Sequence, residues 1–166
     1  RYNPTKGYHH DRTLTRGEPC HVSGRILVID DESAMLEACE ETLSHHGYDV
    51  TLCDRPEDGI TAAARQPFDV ILLDLKMPGK DGLETLREVH AIDDSVKKVM
   101  ITAFPTVSTA VEAIREGAFD YLPKPFSPDQ LLVTIERAIG QKRLSEENQR
   151  LRQALRLRPG FEGIIA

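Results

Sequence analysis

Apolar residues along this chain fall into short continuous runs, separated by longer stretches in which they recur at helical spacing. Ile26-Leu27-Val28-Ile29, Val50-Thr51-Leu52-Cys53, Val70-Ile71-Leu72-Leu73, Val96 with Val99 to Ile101, and Phe119 to Leu122 are the five runs. Short and rich in β-branched residues, they predict strands. After the first run, Met35, Leu36, Cys39 and Leu43 keep helical spacing behind Ser33, which can cap a helix reaching His46, with Gly47 as its stop. Helices are also predicted over 55–66, with Pro56 in the first turn, over 83–92, over 108–116 ahead of Gly117, and from the capping Ser127 through at least Ile139. The segment Met77-Pro78-Gly79-Lys80-Asp81-Gly82 reads as a loop.

Strands that alternate with helices imply a parallel sheet covered on both faces, and continuous apolar strands fit that better than one-sided alternation does. Five units are too few for an eight-stranded barrel. The expectation is an α/β fold built on an open, doubly wound, five-stranded parallel sheet.

The helical pattern continues past this body. QKRLSEENQRLRQALRL, residues 141–157, holds no Gly or Pro, and Leu144, Asn148, Leu151 and Leu155 follow 4-3-4 spacing. That is a short coiled-coil seam, and a polar Asn within it favours a parallel two-stranded pairing at some cost in stability. Two heptads alone are marginal, so the body must contribute to any homodimer.

Charge is distributed in the same modular way. The net charge is −6, but residues 25–140 are strongly acidic and residues 141–158 basic, a layout unlike that of a nucleic-acid binder. No apolar run approaches the ~20 residues that cross a bilayer, and the first residues lack a signal-peptide core. Cys20, Cys39 and Cys53 are scattered without a CxxC, which suggests reduced thiols in a cytoplasmic protein and no zinc site. Residues 1–24 carry Pro, Gly and His with few apolar positions and read as a disordered leader or an expression remnant.

Ligands of an open parallel sheet bind at the carboxyl ends of its strands. Here those ends carry Asp30, Asp31, Asp74, Thr102 and Lys124. Two carboxylates about 5 Å apart repel by roughly 3 kcal/mol at an effective dielectric near 20, so the group needs neutralising by a proton, by Lys124 or by a metal. An all-oxygen set suits Mg²⁺. A carboxylate at such a place can also be a nucleophile toward a phosphoryl group. No GxxxxGK[ST] or GxGxxG loop is present, and no His follows a strand end.

Asp30-Asp31, VILLD ending at Asp74, the MPGKDG loop, Thr102-Ala103 and Lys124-Pro125 together resemble the receiver domain of a two-component response regulator. GAFDYLPKPF, residues 117–126, is especially similar to the NtrC family of sigma-54-dependent activators. The resemblance covers residues 25–140 and implies a flavodoxin-like sheet of order 2-1-3-4-5. It makes Asp74 the phosphoacceptor. It implies that Asp31, Asp74 and the backbone carbonyl of Lys76 hold Mg²⁺, with Asp30 acting through water. Thr102 and Lys124 would contact the phosphoryl group, Tyr121 would change rotamer with Thr102, and the Lys124–Pro125 bond would be cis.

The implied partners are a sensor histidine kinase and a second copy of the chain, joined through the helical linker at 141–158. GFEGIIA, residues 160–166, resembles the start of a truncated AAA+ ATPase domain (159–166) that works on sigma-54 RNA polymerase in the full-length protein. The implied activity is a phosphorylation switch with slow self-dephosphorylation and no other enzymatic turnover. Two alternatives stay open. One is a Mg²⁺-dependent phosphatase with an Asp nucleophile, against which stands Lys76 where such enzymes place an acid. The other is an interaction module that is never phosphorylated.

Overall fold

The computed structural model describes residues 24–157. The leader expected over 1–24 lies outside them except for Gly24, and so does the segment 159–166 compared with an ATPase domain.

Five strands, β1 (Arg25–Ile29), β2 (Asp49–Cys53), β3 (Val70–Asp74), β4 (Lys97–Thr102) and β5 (Asp120–Pro123), alternate with five helices. The helices are α1 (Ser33–His45), α2 (Pro56–Arg65), α3 (Gly82–Ile92), α4 (Val107–Arg115) and α5 (Pro128–Arg156). All strand pairs are parallel and the order is β2-β1-β3-β4-β5, as the resemblance implies.

The continuous apolar runs have a direct cause. Successive strand side chains point to opposite faces, and both faces are covered. Leu27, Ile29, Ile71, Leu73 and Met100 pack with Ala62, Leu86, Val89 and Ala113 from α2, α3 and α4. Ile26, Val28, Val70, Leu72 and Val99 pack with Leu36, Cys39 and Leu43 of α1 and Leu131, Ile135, Ala138 and Ile139 of α5. All five residues of β3, the central strand, are buried.

Most element boundaries fall within a residue or two of the expected ones. Ser33 is not the cap of α1: Glu32 holds that place without a side-chain hydrogen bond, and Ser33 is the first helical residue. Thr106 caps α4 and Ser127 caps α5, each in a reciprocal capping box. β4 differs in content. It includes Lys97 and Lys98, and Lys98 is only 2% exposed, its Nζ donating to His90 Nδ1 at 2.7 Å. The helix after β5 runs unbroken into the predicted linker as far as Arg156, 29 residues in all and about 44 Å long at the usual rise.

Candidate functional site

Parallel pairing carries the ends of β1, β3, β4 and β5 to one rim of the sheet. β1 delivers Asp30 and Asp31 just past its last residue, β3 ends on Asp74, β4 ends on Thr102, and Lys124 follows β5. The loop after β3 is held by a close approach. A Cβ on Gly82 would sit 2.5 Å from the Leu75 carbonyl oxygen, so only glycine lets α3 start there. Gly82 N–H donates to that same oxygen at 3.1 Å, and Asp81 caps α3 by accepting from Leu83 N–H.

The carboxylates of Asp30, Asp31 and Asp74 each place an oxygen within 4.8 Å of the other two. Their surroundings differ. Asp30 is fully buried, Asp74 is 6% exposed, and Asp31 faces solvent. Lys124 Nζ donates to Asp30 Oδ2 at 2.6 Å and to Asp74 Oδ2 at 3.3 Å, and lies 3.7 Å from Glu32 Oε2. Asp74 Oδ1 accepts from Lys76 N–H at 3.1 Å, and Asp30 Oδ1 from Glu32 N–H at 2.9 Å.

Burial pushes the Asp74 carboxyl up to about 6, with the Asp30 charge adding to the rise; the Lys76 N–H and Lys124 oppose it without cancelling it. At Lys124 burial works against the charge, but Asp30 first and Asp74 second hold the ammonium above the ordinary lysine range.

A cleft of about 380 Å³ opens beside these groups, lined by Asp31, Glu32, Asp74, Lys76, Ala103, Phe104 and Lys124. The Lys76 ammonium sits 4.7 Å above the centre of the Phe104 ring, so a cation–π contact borders its mouth. An oxygen-only set of hard donors fits a hard divalent cation such as Mg²⁺ better than a softer metal. The arrangement offers a half-neutralised carboxylate as nucleophile, a buried ammonium beside it and room for a small anionic group.

Thr102 is buried at the same rim, and its Oγ1 accepts from Phe104 N–H at 3.1 Å. The Tyr121 hydroxyl on β5 pairs with Thr109 Oγ1 of α4 at 2.9 Å. The Lys124–Pro125 bond is cis. Leu144, Asn148, Leu151 and Leu155 are exposed on α5, beyond its last buried residue, Ile139. Glu32 and Phe104 are neighbours of the site that the sequence reading missed. Glu32 directly follows Asp30-Asp31, and Phe104 is an aromatic in a loop two residues after Thr102, so both had a positional signal.

A family model described as Response regulator receiver domain matches residues 26–136. Among curated proteins, the chain is 37% identical over 145 residues to the C4-dicarboxylate transport transcriptional regulatory protein DctD of Pseudomonas aeruginosa, covering 87% of this chain and 31% of that protein. It is 38% identical over 133 residues to the alginate biosynthesis transcriptional regulatory protein AlgB of Pseudomonas syringae pv. tomato, covering 80% and 30%. The chain thus spans about a third of the length of these curated relatives. A solved structure of NtrX from Brucella abortus, in complex with ATP, matches with TM-score 0.74 and 32% identity over 77% of this chain and 29% of that one. A response regulator receiver domain protein from Clostridium thermocellum matches with TM-score 0.69 and 34% identity over 72% and 97%.

Proposed function

Because the chain belongs to the response regulator receiver-domain family, with NtrC-family transcriptional regulators among its relatives, we propose that it is a switch phosphorylated on Asp74 by a sensor histidine kinase. The observation that carries this reading is the Asp74 carboxylate itself, at the end of a buried strand, 3.3 Å from the Lys124 ammonium and grouped with Asp30 and Asp31. An Asp74 carboxylate oxygen attacks the phosphorus of a phosphohistidine. The new O–P bond forms as the N–P bond breaks, and the released imidazole takes up a proton.

Asp31, Asp74 and the Lys76 carbonyl would hold Mg²⁺, with Asp30 acting through water. Bound there, the ion supplies neutralising charge for the phosphoryl oxygens. Lys124 offsets a further part of that charge, and the Thr102 hydroxyl, released from Phe104 N–H, donates to a phosphoryl oxygen. The modification adds roughly −1.5 to −2 charges, taking a phosphorylated side chain as guide. Reorganisation of Thr102 disturbs the loop that leads into α4. Tyr121, bound to α4 through Thr109, registers that movement and changes rotamer.

Residues 25–140 act as the receiver and 141–158 as a dimerisation linker, with the seam of Leu144, Asn148, Leu151 and Leu155 exposed and available to a second copy. In the longer regulator, with the cytoplasm as its compartment, residues 159–166 lead into an AAA+ domain that acts on sigma-54 RNA polymerase. The receiver's own chemistry is limited to accepting the phosphoryl group and slowly losing it.

Beryllofluoride with Mg²⁺ tests the reading. The parent chain is expected to show amide shifts at Thr102, Phe104 and the residues of α4, and acetyl phosphate is expected to add one phosphoryl group. Asp74→Asn is expected to do neither. Identical behaviour of parent and variant overturns the assignment, and turnover of small phosphate esters favours a phosphatase.

A further inference from the structure

Beyond Ile139, α5 has no buried residue, yet it stays helical to Arg156. The first residue after this last apolar contact is Gly140. Glycine weakens a helix interior relative to alanine because its backbone has more freedom to lose. Packing does not require it here, since a Cβ on Gly140 would meet no atom within 4 Å. The helix therefore carries its softest residue at the point where its apolar packing against the body ends.

Two residues on, Lys142 reaches back. Its Nζ lies 2.9 Å from Asp69 Oδ1 and 3.3 Å from Glu146 Oε1, and its side chain is only 13% exposed although it stands on the protruding part of the helix. Asp69 is fixed before Lys142 arrives. Its Oδ2 accepts from Arg25 N–H at 2.8 Å, its N–H donates to the Arg25 carbonyl at 2.8 Å, and its carbonyl accepts from Lys97 N–H at 3.1 Å. β1, β3 and β4 thus hold one carboxylate rigidly at the rim of the sheet opposite Asp74. An ion pair with one partner preorganised and the other mostly buried loses less side-chain entropy than an ordinary surface pair.

From this juxtaposition we infer that Gly140 is a hinge and Asp69–Lys142 a latch across it, which together decide whether the linker helix is rigidly continuous with the body or swings free. Latched, the helix projects from the sheet in one direction. Unlatched, the segment from Gln141 onward bends or frays at Gly140 while the rest of α5 stays packed through Leu131, Ile135, Ala138 and Ile139. The latch itself is independent of phosphorylation; its consequence, control over how two linkers meet, rests on the dimer reading above.

Native-state amide exchange on the whole chain, without Mg²⁺ or phosphoryl donor and at two protein concentrations to separate pairing from latching, tests the device. Lys142→Gln is expected to speed exchange over 143–156 about fivefold, leaving β1, β3 and 131–139 unchanged. Lys142→Arg is expected to keep parental exchange. Gly140→Ala combined with Lys142→Gln is expected to restore protection, because the stiffer helix no longer needs the latch. Unchanged exchange in Lys142→Gln overturns the latch, and failure of Gly140→Ala to restore protection overturns the hinge. Acceleration spread evenly over the sheet and α5 also overturns the proposal, since it marks general destabilisation. Because no phosphoryl donor is present, failure of the Asp74 assignment leaves this result untouched.

Discussion

Lys124 stands closer to Asp30 than to Asp74, at 2.6 Å against 3.3 Å. Asp30 is fully buried and takes the larger share of the ammonium's charge. Asp74 is left only partly neutralised, which is why burial can push its carboxyl to about 6. Asp30 therefore sets how much of Lys124 reaches Asp74, and it adds its own repulsion to the rise.

Asp30→Asn is expected to release Lys124 toward Asp74 and to remove that repulsion. The Asp74 carboxyl should then titrate below about 6, moving toward the ordinary aspartate range near 4. Carbon-detected NMR titration of the side-chain carboxyls in metal-free buffer measures this. A value that holds or rises would overturn this account of Asp30.

A raised carboxyl also makes a stability statement. The folded state binds the Asp74 proton up to about 6, whereas the unfolded chain releases it near 3.9. The folded state therefore holds more protons between these values, and stability contributed at this site falls as pH rises through that window. Asp74→Asn removes the dependence. In metal-free buffer at pH 7.5 the variant is expected to be more stable than the parent, by about 1–2 kcal/mol once solvent at the cleft mouth is allowed for, and equal to it near pH 3. Mg²⁺ should then raise the melting temperature of the parent and leave that of the variant in place. Thermal denaturation at the two pH values, with and without Mg²⁺, checks all three.

Lys98 is a buried cation in β4 whose pKa burial lowers, against the raising effect of Asp93 and Asp94. A base with a lowered folded pKa costs stability at neutral pH, and the cost is relieved as pH rises toward the ordinary lysine value. Lys98→Met keeps the packed stem and removes the charge. It is expected to stabilise the domain by about 1 kcal/mol at pH 7 and to flatten the alkaline arm of its stability profile. A lowered melting temperature would mean that the bond to His90, 2.7 Å long, outweighs the burial of the charge.

Leu144, Leu151 and Leu155 are exposed on a helix that protrudes from the body. Sedimentation is expected to show a concentration-dependent dimer that weakens when residues 141–166 are removed, and Asn148→Ile is expected to tighten it or change its stoichiometry. A monomer at tens of micromolar, a concentration chosen to order of magnitude, would remove the dimer from the reading.

Much of the molecule was legible because a parallel sheet obeys few rules. Runs such as VILLD have to be buried on both faces, and the residues that end parallel strands must meet at one rim. Asp30, Asp31, Asp74, Thr102 and Lys124 could therefore be grouped from their places in the chain alone. Local polar signals were less secure. Ser33 looked like a cap because its residue type suits one, but the backbone turned a residue earlier. Lys97 and Lys98 interrupt the apolar run between Val96 and Val99, and nothing local says that one of two adjacent lysines will be enclosed.

The sequence by itself determined the fold class and the rim at which the polar strand ends meet, because hydrophobic period and strand-end position are one-dimensional properties. Only the tertiary structure decided that Lys124 favours Asp30, that Tyr121 pairs with Thr109, and that Lys142 crosses 73 residues to Asp69. Those are distances of a few ångströms between side chains far apart in the chain. Packing of the whole domain sets them, and no local pattern of residues records it.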